Sequence, residues 1–238
     1  MDLKQIGEEI ALHQLKIGAI KLQPENPFTW ASGWKSPIYN DNRRLLFFPE
    51  MIDLVVDGFR DIMADRDLNN VDKLIIAGTA TAGIPHGAML AYSTSSSFVY
   101  VREKQKEHGM GNQIEGIDPG EDFGGEEVLL IEDLISTGGS SAATVAALRK
   151  RGGKVSDCFC IFDYGFPKAV QMFNGEIPFR NEETLLEPCI VSSLLTYPVL
   201  LEVAITHGFV DKGQEEFLLS WYKDPESWSN AWKAEHPE

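Results

Sequence analysis

Residues 128–141, VLLIEDLISTGGSS, constrain the fold of this chain more than any other segment. Four apolar residues lead directly into two adjacent carboxylates, Glu132 and Asp133. A loop rich in hydroxyls and glycine follows, and then a helix-forming run at 142–151. An unbroken apolar run fits a strand buried on both faces of a parallel sheet. The loop Ser136, Thr137, Gly138, Gly139 and Ser140 then stands at the carboxyl end of that strand, where open α/β sheets hold their ligands. Gly138 and Gly139 let backbone N–H groups converge, and the following helix N-terminus adds partial positive charge, which makes a phosphate cradle. The acids beside it must serve another purpose, because a phosphate repels them. Ribose hydroxyls, which donate hydrogen bonds to carboxylates, suit them, and so does a bridging divalent cation. A plain strand–loop–helix crossover without a ligand is the alternative, and it leaves the paired acids without a partner. No G-x-x-x-x-G-K-[ST] run occurs, and Gly109-Met110-Gly111 meets Ile114 where a dinucleotide fingerprint needs its third glycine.

The rest of the chain alternates between helical and extended patterns. A helical stripe covers 3–15 through Leu3, Ile6, Ile10 and Leu15, with Leu12 nearby. Pro24, Pro27, Gly33 and Pro37 break 23–41 into short strands and turns. A helix is expected at 49–65, with Pro49 in its first turn and Met51, Leu54, Val55, Phe59 and Ile62 on one face. A strand at 72–77, a helix at 82–92, a strand at 97–101 and a polar loop at 102–124 lead to the phosphate-site strand. Its helix stops at Gly152-Gly153. Beyond it are a strand at 155–162, a short helix at 167–173, a polar segment at 181–187, a strand at 189–194, and closing helices at 198–207 and 214–221. This alternation implies an α/β fold, a doubly wound and mostly parallel sheet flanked by helices. At 238 residues the chain suits one domain with room for a small subdomain.

Composition narrows the partners. The content is 43% apolar and 24% charged, that of an ordinary soluble globular protein. A net charge of −15 argues against nucleic acid or anionic membrane as a general partner. No apolar run approaches the roughly 18 residues of a membrane span, and the start, MDLKQIGEEI, is charged and unlike a signal sequence. Cys158 and Cys160 alternate along one expected strand, so both face the same side as small hydrophobes. With Cys189 they are not metal-spaced and point to a reducing cytoplasm.

The strand, two acids and Thr-Gly turn resemble the 5-phosphoribosyl pyrophosphate (PRPP) motif of the type I phosphoribosyltransferases. Three further segments resemble the orotate-using branch of that family: PFTWASGWKSPIYNDN at 27–42, IAGTATAGIP at 76–85 and YVREKQKEHGMGNQIEG at 100–116. The four motifs stand in the expected order and span nearly the whole chain. The resemblance implies transfer of the phosphoribosyl group of PRPP to orotate, giving orotidine 5-phosphate and pyrophosphate in pyrimidine (UMP) biosynthesis. It implies that Glu132 and Asp133 hold the ribose hydroxyls, and that Leu134, Ile135, Ser136, Thr137, Gly138, Gly139 and Ser140 complete the PRPP site around the 5-phosphate. Arg102, Lys104, Lys106 and His108 would meet the pyrophosphate, with Lys106 and His108 joining the two acids as catalytic candidates. Tyr39, Asn40 and Ser136 would meet orotate. The turn at 78–83 resembles a strained family turn that touches pyrophosphate. Mg²⁺ is the implied cofactor, bound mainly through PRPP rather than by a protein ligand set. The resemblance further implies a homodimer whose 100–116 loop reaches the neighbouring subunit's site. It also implies a core at about 45–175 beneath a hood drawn from about 1–44 and 176–238.

Several of these positions have a plainer reading. The charged run 102–108 is either a lid, with Gly109 and Gly111 giving it freedom to open and close, or a solvated loop. His108 is a pyrophosphate contact or a surface residue, and Tyr39 a ring contact or a packing aromatic. Trp30 and Trp34 read as packing. The chain also departs from the better-known family pattern. Ala31 stands where many members carry a Lys, and Lys35, four residues on, cannot simply inherit its geometry. Thr81-Ala82 replaces a Tyr-Lys pair, Glu103 replaces a second Lys, and Tyr164 occupies the place of an orotate-binding Arg. A phosphoribosyltransferase for another base and a non-catalytic PRPP sensor are the competing readings. The F-T-W-A-S-G segment argues against the first, and the retained Lys106 and His108 against the second.

Overall fold

The computed structural model describes residues 1–30, 33–103, 112–179 and 185–236. The chain begins with α1 (Leu3–Lys16) and four short strands, β1 (Ile20–Leu22), β2 (Phe28–Thr29), β3 (Lys35–Ser36) and β4 (Ile38–Asn40). Next come α2 (Pro49–Asp65), β5 (Leu74–Thr79), α3 (Gly83–Thr94), β6 (Ser97–Val101) and β7 (Ile114–Glu115). Then follow β8 (Glu127–Ile135), α4 (Gly139–Lys150), β9 (Asp157–Asp163), α5 (Pro167–Phe173) and β10 (Ile190–Thr196). The chain closes with α6 (Tyr197–Thr206), α7 (Glu215–Lys223) and α8 (Pro225–Glu235).

One six-stranded sheet carries the molecule, in the spatial order β10-β9-β8-β5-β6-β7. All neighbours pair parallel except β7, which returns antiparallel against β6. Strands inside such a sheet are covered on both faces, and the side chains of β8 and β9 divide accordingly. Leu129, Ile131, Phe159 and Ile161 join one core with α1, α2, α3 and α6, and Val128, Leu130, Cys158 and Cys160 join the other with α4 and α5. Cys158 and Cys160 therefore face one side as expected, and with Cys189 they are buried free thiols. Each fully buried aliphatic side chain contributes roughly 1.5–3 kcal/mol, so these two layers fix where β8 ends.

The amino-terminal strands form two hairpins outside this sheet, β1 with β4 and β2 with β3. Helix α8 packs on β3, and the Lys35 N–H donates to Ser229 Oγ at 2.8 Å across the two ends of the chain. Strand β10 lies within the range read from sequence as hood, yet it is an edge strand of the main sheet. Three elements have no counterpart in the sequence reading: β1, β7 and α8. Strand β7 is two residues inside a polar loop, and α8, PESWSNAWKAE, presents tryptophans within a polar run. Among the described residues no helix is long and apolar enough to cross a membrane.

Candidate active site

Strands β5 and β8 run side by side, with Gly78 opposite Ile131, so both end at the same sheet edge. The turns that follow them and the segment leading out of β4 enclose a cleft of about 380 Å³. Larger hollows of about 620 and 640 Å³ lie elsewhere, one at the amino ends of β5 and β6 and one between α1, α2 and α6. Neither contains the acid pair or the glycine loop, so chemistry rather than size selects the smaller cleft. The turn after β5 is tied to its neighbour by Ala80 N–H donating to the Val101 carbonyl at 2.9 Å, and the Ala80–Thr81 peptide is cis. The close fit of α3 against β8 requires glycine at 83, where a Cβ would stand 2.4 Å from the Ile131 carbonyl oxygen.

The glycine–hydroxyl loop is built as its sequence suggests. Gly138 adopts φ +78°, a conformation that favours glycine, and α4 starts at Gly139 with no side chain capping it. The helix thus begins three residues before the run at 142–151, because Gly139, Ser140 and Ser141 form its first turn. Uncapped N–H groups and the positive end of the helix dipole face the cleft edge where Ser136, Thr137, Gly138, Gly139 and Ser140 lie. Such an arrangement is chemically suited to an anion.

The acid pair lies inside β8 rather than beyond it, since the strand continues to Ile135. Alternation then separates the two side chains. Glu132 is buried, with Oε2 accepting from Ser141 Oγ at 2.9 Å and Oε1 accepting the Asp133 N–H at 3.1 Å. Asp133 is half-buried, and its backbone carbonyl accepts from Asn42 Nδ2 at 2.6 Å. The fully buried Gln14 on α1 donates in turn to Asn42 Oδ1. Burial, reinforced by the Asp133 charge, pushes the Glu132 carboxyl up to about 8. Burial also raises Asp133, with the Arg43 guanidinium among the groups that oppose the rise. Burial thus pushes Glu132 toward its neutral form, while the half-buried Asp133 is the better placed of the two to accept hydrogen bonds in the cleft.

Glu132, Asp133, Leu134, Asn40 and all five loop residues line the cleft. Ile135 does not line it, and its side chain is in the core beside Ala142 and Val145. Both amide atoms of Asn40 are buried without a hydrogen-bond partner among the described residues, as is Thr79 Oγ1. Tyr39 is 39% exposed and leans on Phe28 at 5.7 Å. Arg102 stands just past β6 at the same sheet edge, paired with Glu115 Oε1 at 3.2 Å. Lys104, Lys106, His108 and Ala31 lie outside the described residues. Sequence reasoning gave no role to Gln14, Asn42, Arg43 or Ser141. Asn42 closes the motif at 27–42, two residues after Asn40, and Arg43 stands just beyond it, which was the available signal.

The aromatic residues form a separate cluster. Trp30 donates from Nε1 to the Ile38 carbonyl at 3.1 Å and packs at 5.5 Å from Tyr164 and 5.8 Å from Trp221. Tyr164 is 2% exposed and stacks on Phe166 at 5.0 Å, and burial raises its hydroxyl pKa. It supplies packing under the cover of the site and no charge.

A family model described as a phosphoribosyl transferase domain matches residues 50–169, the stretch holding β5, β8 and both cleft turns. The orotate phosphoribosyltransferase of Bacteroides thetaiotaomicron is 41% identical over 228 residues, 95% of this chain and 98% of its own length. That of Streptococcus sanguinis is 43% identical over 225 residues, 94% of this chain and 98% of its own length. The crystal structure of orotate phosphoribosyltransferase from Aeropyrum pernix superposes with a TM-score of 0.65 at 28% identity, covering 84% of this chain and 99% of that one. The Leishmania donovani UMP synthase structure, 21% identical with a TM-score of 0.66 over 91% of this chain and 42% of that one, shares the fold. A glycine–hydroxyl loop at a helix start, an acid pair just before it on β8, and full-length likeness at this identity agree, and the chain belongs to the phosphoribosyltransferase family, among its orotate phosphoribosyltransferases.

Proposed function

We propose that this cleft transfers the phosphoribosyl group of PRPP to orotate, releasing pyrophosphate and forming orotidine 5-phosphate for pyrimidine synthesis. The observation that carries the reading is the convergence of an uncapped glycine–hydroxyl loop, an acid pair and an orphaned amide in one cleft. Backbone N–H groups and hydroxyls of Ser136, Thr137, Gly138, Gly139 and Ser140 anchor the 5-phosphate. Asp133 accepts from the ribose hydroxyls and sits near the positive charge that grows on the ribose ring as the bond at C1 breaks. Glu132, held by Ser141, supports it from beneath. Arg102, Lys104, Lys106 and His108 balance the charge gathering on the departing pyrophosphate. Catalysis of this kind is positioning and electrostatic stabilisation, with no covalent step on the protein.

The amide of Asn40 offers a donor and an acceptor to the flat orotate ring, Ser136 offers a hydroxyl, and Tyr39 borders them. The carboxylates of Asp133 and Asp41 are hard oxygen donors of the kind that suits Mg²⁺. In this reading the cation is held chiefly by PRPP oxygens. When bound, that cation would offset the negative charge of the pyrophosphate. In this reading a cytoplasmic homodimer operates, each subunit lending its 102–115 loop to the other's cleft, with β1–β4, α7 and α8 as the hood over the sheet edge. The test is direct. Protein mixed with PRPP, Mg²⁺ and orotate should consume orotate, seen as loss of its near-ultraviolet absorbance, and release pyrophosphate in equal amount. Unchanged absorbance with all components present would remove the assignment.

A further inference from the structure

We infer that Arg43 recognises the carboxylate of the base substrate and sets the enzyme's preference for orotate over uncarboxylated pyrimidines; this rests on the orotate reading above. Among the described residues lining the cleft, Arg43 is the one cation, set against the acids Asp41, Glu132 and Asp133. A carboxylated ring entering such a site meets repulsion unless a cation receives it. Arg43 is also held in a set orientation: its Nε donates to Asp41 Oδ1 at 2.6 Å. The terminal Nη groups have no partner among the described residues, and a guanidinium fork matches a carboxylate with two parallel hydrogen bonds.

Position selects the carboxylate over the phosphates. A nucleotide is linear in its parts, phosphate then ribose then base. The phosphate cradle is at the start of α4, and the ribose acids lie near the end of β8, just before the loop. The segment after β4 adjoins the acids, because Asn42 of that segment is hydrogen-bonded to the Asp133 backbone, and it lines the same cleft. The Arg43 guanidinium is within electrostatic reach of both Asp133 and Tyr39. It thus flanks the place where a base attached at C1 must lie, beside the unsatisfied amide of Asn40. Tyr164, at the end of β9, is buried among aromatics and offers no charge there.

The experiment compares wild type, Arg43→Gln and Arg43→Lys with orotate and with uracil, which is the same ring without the carboxylate. Arg43 has a side chain 61% exposed, and circular dichroism checks that the variants keep the fold. Loss of a charged hydrogen-bonding partner should raise the orotate KM of Arg43→Gln about ten- to a hundred-fold, leave the PRPP KM nearly unchanged, and shrink the orotate-over-uracil preference by the same factor. Arg43→Lys should recover part of the loss, as a point charge without the fork. An unchanged orotate KM, or a PRPP KM that rises as much as that for orotate, would overturn the inference, the second outcome reassigning Arg43 to a phosphate. A wild-type protein that leaves orotate untouched removes the functional reading beneath it as well, so the two failures are told apart by the wild-type assay alone.

Discussion

At the residue scale the two acids of the IEDL run are chemically unequal. Asp133 faces the cleft half-exposed, whereas Glu132 is buried under it with both oxygens hydrogen-bonded. In an unfolded chain Glu132 ionises near its ordinary 4.5, but in the fold burial holds the proton on until about 8. Between those values the unfolded state releases a proton that the folded state keeps. The contribution of Glu132 is therefore most favourable below 4.5 and is lost as pH rises toward 8. Glu132→Gln removes this slope. Its melting temperature relative to wild type should climb between pH 4.5 and 8, by an amount corresponding to on the order of a few kcal/mol, while turnover falls. A difference between the two melting curves that stays flat with pH would mean that Glu132 is ionised in the fold. The presence of the acids was legible from an apolar run ending in Glu-Asp. Their inequality was not, because it depends on Ser141 nine positions on and on how far β8 continues before its loop.

At the element scale, the regular elements with strong periodicity were legible to the residue: α2, β6 and α5 have the bounds that their patterns suggest. What escaped was structure set by contacts distant in sequence. Strand β7 exists because Gln113 and Arg102 exchange hydrogen bonds across the loop, and α8 is fixed by its packing on β3. Helix α3 holds a second such feature. His86, in its first turn, is 1% exposed, and neither ring nitrogen has a partner among the described residues. Burial lowers its pKa from 6.5 to about 4, so the unfolded chain takes up a proton that the fold refuses. Stability is thus fully present above 6.5 and declines as pH falls toward 4, the opposite sense to Glu132. An apolar replacement removes two unsatisfied nitrogens along with the titration. Thermal melts of His86→Leu should show stabilisation over wild type at about pH 5 exceeding that at about pH 7.5, values on either side of the ordinary His pKa. Equal shifts at the two values would show that His86 carries its proton inside the fold.

At the scale of the whole molecule, the parallel sheet and the position of the candidate cleft at its edge were legible from alternation and from one glycine loop. The cover did not, because short strands such as β1 and β2 gain their stability only from what they pack against. A molecule with net charge −15 must also bind the polyanion PRPP, so local cations have to outweigh the global field. The one cation among the described lining residues, Arg43, is assigned above to the base, so the cations for pyrophosphate are those of the 102–108 run. If that run serves the partner subunit, each cleft is complete only in a dimer, and two different inactive variants should rescue one another. Lys106→Ala disables the loop, and Asp133→Asn disables the ribose grip. In a mixed dimer one cleft receives both defects, and the other receives a wild-type loop over a wild-type cradle. Random mixing makes about half the dimers mixed, each with one working site, so activity should recover to roughly a quarter of wild type. Tagged subunits that exchange freely, as shown by co-purification, yet regain no activity would mean that each loop closes over its own subunit's cleft.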